Sequence, residues 1–373
     1  VLFLKVPLFQ QIGFSYSLIN ASLLPVQKNL QFIQLLRGIA CLLVLLLHIT
    51  MTFSETYHTY FLWNFFKFGG CGVDIFFVLS GFIITYSNRQ HIGEAASIPK
   101  FIKKRAIRIF PIYWIIISFF LLLQVLLPAF YRTHFNLSPG NLLTTFFLFP
   151  NHNMVNGVSW SLTNELFFYL LFTLALIIPD KKYSLLVLLL YFVILTVLPA
   201  FTTSTDNSAG FMQLLLFPMN IEFLLGIAAV FFLEKFSVKW CLPILLTGIA
   251  YFILSAFFYT AISQLFTNAY GRVIMFGLPS FLIIVSLVKY ELTTPVKVNN
   301  IFLQLGNASY SIYLFHLPIV AAFFKIMVKL PVTNHLLLVL LSCGLLISVC
   351  VAGIVIYKKI ESPLINFLNK KLA

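Results

Sequence analysis

An all-helical integral membrane protein with about ten spanning helices and both termini cytoplasmic is what this sequence predicts, on three observations. The first is composition. Of 373 residues, 61% are hydrophobic and 9% charged, more apolar surface than a water-soluble globule of this length can use. The second is the spacing of apolar runs, which read as spans over roughly 31–53, 68–87, 109–128, 158–178, 183–199, 212–232, 241–261, 271–288, 306–328 and 335–357. The third is charge. The net +14 is not gathered onto one basic face, as nucleic-acid binding would require, but punctuates the apolar runs. With the N-terminus inside, 19 of the 24 Lys and Arg lie on the cytoplasmic side. One missing span would invert every later loop and destroy that asymmetry.

Residues 1–27 read as an N-terminal extension without assignable structure. Pro7, Gln10 and Gln11 break its apolar patches, so no cleavable signal peptide is expected there. Residues 28–363 form one membrane domain, and 364–373 a cytoplasmic tail. Five cysteines show neither metal-ligand nor disulfide spacing and read as small core residues, with no metal site expected.

The first span holds Arg37 and His48, eleven residues apart. At ~100° per residue the two share one helix face, ~16 Å apart along the axis. Ionisable groups in such a helix are costly unless they face protein or water, which points to function. Equally, Arg37 could mark the cytoplasmic end and His48 the outer interface. The second span opens Gly69-Gly70-Cys71-Gly72-Val73-Asp74. A hairpin of the first two spans puts Asp74 at the depth of His48, where a carboxylate could orient the imidazole. Capping the helix, or pairing with a basic residue elsewhere, would explain Asp74 as well.

The second inner loop ends Lys103-Lys104-Arg105-Ala106-Ile107-Arg108-Ile109-Phe110-Pro111. Arg105 and Arg108, three apart on a helical turn, can converge on one anion. A topology anchor or a lipid-phosphate contact fits such a cluster too. Pro111 suits the first turn of the third span. In the outer loop, 129–157, the apolar segment Leu142–Phe149 suits a re-entrant or interfacial position. The fourth span opens Val158-Ser159-Trp160-Ser161-Leu162-Thr163-Asn164-Glu165, with Ser161 and Glu165 on one face. A buried carboxyl suits proton transfer, and an interhelical hydrogen bond is the plainer use. Glu222, a third membrane acid, is expected in a structural pair. In the ninth span Ser309, Tyr313 and His316 fall within ~60° of one another, a polar stripe on an apolar helix. Two histidines, two or three acids and an arginine cannot all face lipid, so they should line one water-accessible cavity.

Taken in order, these segments resemble the acyltransferase-3 family of polytopic membrane acyltransferases, which O-acylate sugars and related acceptors. The likeness runs over 31–363. It rests on Arg37-x10-His48, Gly72-Val73-Asp74 through Ser80-Gly81-Phe82, Arg105-x-x-Arg108-x-x-Pro111 and Trp160-Ser161-Leu162-x-x-Glu165. It continues through Phe223-x-x-Gly226 and Ser309-Tyr310-Ser311-Ile312-Tyr313-Leu314-x-His316, and closes on Glu361-Ser362-Pro363. The resemblance implies an acyl-CoA donor, usually acetyl-CoA, as a substrate and not a permanently bound cofactor. It implies His48 as catalytic residue with Arg37 as its partner, and donor phosphates on Arg105 and Arg108. Asp74 or Glu165 would orient or relay protons, and Trp160, Ser309, Tyr313 and His316 would line the substrate cavity. Residues before about 28 fit no part of the family pattern. No hydrolase-like domain of the kind some members carry follows, so transfer is expected within the membrane part. An acyl-enzyme relay would be the alternative to direct transfer. The expected partners are acyl-CoA, a carbohydrate or glycolipid acceptor and the bilayer of a bacterial inner membrane. The rival class is a transporter or flippase using the same polar cavity, against which stand the absence of internal repeats and the ordered motif set.

Overall fold

The structure, a computed structural model, describes residues 29–126, 138–150, 154–179, 181–197, 210–262 and 269–371. The predicted extension over 1–27 and part of the loop 129–157 lie outside the described residues. Among those described, every regular element is helical and no strand occurs. In chain order they are α1 (Gln31–Tyr57), α2 (Cys71–Asn88), α3 (Ile98–Leu126), α4 (Pro139–Phe146), α5 (Trp160–Ile177), α6 (Lys181–Val197) and α7 (Phe211–Leu215). There follow α8 (Asn220–Phe232), α9 (Cys241–Ile262), α10 (Ala269–Arg272), α11 (Leu278–Thr293), α12 (Asn300–Asn307), α13 (Ser309–Met327), α14 (His335–Ile356) and α15 (Ser362–Lys371).

Among the described residues, nine stretches are long and apolar enough to cross a membrane, and each coincides with a predicted span. The remaining prediction, 183–199, falls on α6, which has 17 residues. At ~1.5 Å per residue that is a few ångströms short of a ~30 Å hydrocarbon core.

Two boundaries differ from expectation, and both bear on function. The third span begins at Ile98, not 109, so Pro111 sits inside α3 and not in its first turn. Proline removes its own N–H and crowds the carbonyl four residues back. The turn before it, Lys103-Lys104-Arg105-Ala106-Ile107, is rich in helix formers and carries the helix through. Arg105 and Arg108 therefore stand on a rigid helix and not in a loop. At the other end, α14 runs through a π-turn, Tyr357–Glu361, directly into α15, so the predicted tail is helical as far as Lys371. The wider turn re-aims Glu361 into the bundle, where it is fully buried.

The centre of the bundle is α2 against α8, two helices that approach at glycines. A Cβ on Gly81 would lie 2.1 Å from the Phe223 carbonyl oxygen, and one on Gly226 2.2 Å from that of Val78. Side chains there would force the backbones apart. Beside this contact, Phe77, Phe223 and Phe168 stack with centroids 4.4 and 4.5 Å apart, tying α2, α8 and α5 together. The apolar segment expected over Leu142–Phe149 overlaps the second half of α4, which is held to α3: Tyr113 Oη donates to the Thr145 carbonyl at 2.9 Å and Trp114 Nε1 to that of Phe146 at 2.9 Å.

Candidate active site

Helices α1, α2, α3, α5 and α13 line a partly open cavity of about 150 Å³. It brings together Arg37, Arg105, Arg108, Glu165, Ser309 and Tyr313 of the residues singled out in the sequence, with Ser80, Ser161, Tyr169 and Tyr310 beside them. Arg105 lays its guanidinium over the rings of Phe101 and Tyr169, 5.7 Å from each centroid, and its Nε is buried without a hydrogen-bond partner. Arg108 donates through Nη1 to Glu361 Oε1, while Ser311 Oγ donates to Glu361 Oε2 at 2.6 Å. Its guanidinium also sits over the Tyr310 ring at 5.4 Å. Glu165 Oε1 accepts from Ser80 Oγ at 2.8 Å and from Tyr169 Oη at 2.6 Å. Arg37 reaches only Gln34 Oε1, at a long 3.5 Å, within the field of Arg108, Glu361 and Glu165. Three guanidiniums thus face two carboxylates, both of them hydrogen-bonded. The cavity therefore carries an excess of cationic groups, and Arg105 and Arg108 rest on aromatic faces, which hold a guanidinium without consuming its hydrogen-bond donors.

His48, His316, Asp74 and Trp160 do not line that cavity. The single polar cavity expected from the sequence divides into three places, because eleven residues of helix separate Arg37 from His48. His48 and His316 face each other with ring centroids 5.0 Å apart. His316 Nδ1 lies 2.7 Å from the Tyr313 carbonyl oxygen, and its Nε2 is buried with no partner. Tyr313 belongs to both places. Its ring is 5.7 Å from that of His316, while its hydroxyl is 2.7 Å from Ser161 Oγ in the cavity wall.

Asp74 takes the pairing reading, with a basic residue from elsewhere in the chain. Its Oδ2 accepts from Arg272 Nη2 at 2.5 Å, so its charge is spent on that guanidinium and not on orienting His48. Arg272 also donates to the Gly70 carbonyl at 2.9 Å, and Glu222 is near enough to feel the charges of both Asp74 and Arg272. Asp74 and Glu222 are each fully buried. Glu165, held by Ser80 and Tyr169, is likewise outside the histidine pair. Trp160 packs edge-on to Phe77 and Phe217, at 6.2 and 5.9 Å, as part of the hydrophobic wall.

Two residues that shape these centres had weak signals. Glu361 stood in the closing Glu-Ser-Pro, but nothing local to it betrays a partner 253 positions away. Arg272 had a signal that went unused: an arginine at the head of an apolar run is costly without an acid.

The family model described as an acyltransferase domain matches residues 30–357. The chain is 27% identical over 270 residues to the exopolysaccharide production protein ExoZ of Rhizobium meliloti (strain 1021), covering 67% of this chain and 76% of the relative. No solved structure matches. A match spanning the bundle from α1 to the π-turn, on an all-helical architecture, establishes the assignment: the chain belongs to the acyltransferase-3 family of membrane acyltransferases.

Proposed function

We propose that the protein transfers an acyl group, acetyl foremost, from acyl-CoA to a hydroxyl of a carbohydrate or glycolipid of the cell envelope, in a bacterial inner membrane. The observation that carries this reading is the cavity with more guanidinium than carboxylate, set on the same bundle as a histidine pair. CoA phosphates suit Arg105 and the donors of Arg108 not taken by Glu361, since charge-assisted forks match phosphate geometry. Arg37 lies ~16 Å along the helix from His48, too far to reach an oxyanion formed beside the imidazole. It suits the donor arm between phosphates and thioester. The name of the Rhizobium relative supports a polysaccharide as acceptor class.

In the reaction, His48 takes the proton of the acceptor hydroxyl. The oxygen bonds to the thioester carbonyl carbon, the C–S bond breaks, and the CoA thiolate leaves and recovers the proton from His48. A positioned base of this kind contributes ~10²- to 10⁴-fold in rate. The test is His48→Ala and His48→Gln in purified protein, using radiolabelled acetyl-CoA and the polysaccharide fraction of the source cells. Both variants should lose transfer while CoA binding and insertion stay near wild type. Retained transfer in His48→Gln would make the histidine structural.

A further inference from the structure

We infer that His316 acts through His48: its Nε2 receives the N–H of the His48 imidazolium during transfer, the place a carboxylate would otherwise fill. The inference rests on the proposed role of His48 as base and adds the residue that positions it.

The argument begins with the tautomer. The Tyr313 carbonyl can only accept a hydrogen bond, so His316 Nδ1, 2.7 Å away, must carry the proton. A neutral imidazole protonated at Nδ1 has a bare lone pair at Nε2. That Nε2 is buried and unpartnered, on a side chain 1% exposed. A buried acceptor left open is destabilising, and a group kept in that state is kept for a donor that arrives later. The ring facing it is His48, at a centroid distance of 5.0 Å and an interplanar angle of 42°. A modest turn of the half-buried His48 ring brings an N–H onto Nε2.

The usual partner of a basic imidazole is a carboxylate, and the membrane acids lie with other groups, Glu222 among them beside Asp74 and Arg272. Asp74 is bound by Arg272, Glu165 by Ser80 and Tyr169, and Glu361 by Arg108 and Ser311. When His48 takes the hydroxyl proton it becomes a cation with two donors. One remains directed at substrate, and the other needs an acceptor in an apolar wall. His316 Nε2 supplies it without placing a second fixed charge in the membrane, which a carboxylate would do.

The experiment combines a signature independent of activity with kinetics. Histidine-specific ¹⁵N labelling in lipid nanodiscs should show His316 protonated at Nδ1, with a pyridine-type Nε2. An Nε2–H tautomer overturns the inference outright. In the acetyl-CoA and polysaccharide assay, His316→Phe keeps a ring but removes the acceptor. It should lower kcat roughly 10- to 100-fold, the worth of one charge-assisted hydrogen bond, with both KM values unchanged. His316→Gln retains an acceptor oxygen and should recover part of that loss. In a His48→Ala background, His316→Phe should cost nothing further, because groups acting as one unit are non-additive. A further loss there, or a raised acceptor KM with kcat unchanged, would mean His316 touches the acceptor directly and overturns the inference. If His48→Ala is inactive and His316→Phe active, the inference alone fails. If both are active, the base assignment itself fails.

Discussion

Two arginine–carboxylate centres lie inside this bundle, and they resemble each other until their oxygens are counted. In each, a guanidinium 29% exposed meets a carboxylate with no exposure: Arg108 with Glu361, and Arg272 with Asp74. At Glu361 both oxygens have donors, one from Arg108 and one from Ser311. The acid is satisfied, and Arg108 still lines the cavity. At Arg272 the acids outnumber the cation, and Asp74 Oδ1 and both Glu222 oxygens have no donor. The first centre has cationic capacity to spare and opens onto space for an anion. The second has none to spare. Buried ion pairs of similar geometry thus serve different ends: one holds the cavity-lining Arg108 in aim, the other ties α2 and α8 to the segment at Arg272.

The largest effect expected from breaking this comparison is at Arg272. Arg272→Ala leaves Asp74 and Glu222 with no counter-charge, and removing one partner of a buried pair costs about 3–5 kcal/mol. Thermal unfolding in detergent should register that loss, or the variant should fail to accumulate in membranes. A variant with near wild-type stability would show that the cluster is not a structural tie.

Next in size is Arg108→Ala, which should fall on both sides of the comparison. It removes one phosphate ligand, lowering CoA affinity ~10- to 100-fold. It also strands the fully buried Glu361 with only Ser311, lowering the unfolding temperature. Arg105→Ala should lower CoA affinity by a similar factor and leave stability nearly unchanged, because Arg105 rests on Phe101 and Tyr169 and neutralises no buried acid. Calorimetric CoA titration beside thermal unfolding separates the two. If Arg108→Ala lost stability but kept CoA affinity, Arg108 would join Arg272 as a purely structural residue.

The fold was legible because hydropathy reports it residue by residue: nine of the spans follow directly from apolar length. The cationic half of the cavity was legible for a similar reason, since Arg105, Arg108 and Arg37 are conspicuous against an apolar background. Pairing was not. A simple two-helix hairpin would put Asp74 at the depth of His48, but Gly69 packs on the Leu43 carbonyl and Gly72 on that of Ala40, which sets Asp74 toward the Arg37 end of α1. Arg272 wins Asp74 by charge, 198 positions away in sequence. His316 meets His48 for the converse reason: both histidines could be placed on helices, yet only the packing of α13 on α1 turns the rings together. The start of α3 was misplaced because Pro111 reads locally as an initiator, although a long helix can carry an interior proline at the cost of one hydrogen bond and a crowded carbonyl.

The smallest effect tests the arithmetic of the second centre. Two carboxylates against one guanidinium would leave a net charge in hydrocarbon, at a cost of several kcal/mol. A proton on Glu222 would remove that charge and turn its carboxyl into a donor beside Asp74. Glu222→Gln reproduces this arrangement permanently, with an amide N–H in place of the carboxyl O–H and nearly the same volume. The substitution should change unfolding free energy by less than about 1 kcal/mol, the net worth of an ordinary hydrogen bond. Asp74→Asn, by contrast, removes the charge that Arg272 answers and should cost several times more. Equal losses from the two would mean that both acids are charged in the folded protein, and the contrast with the satisfied Glu361 would have to be redrawn around a second cation not yet assigned to Glu222.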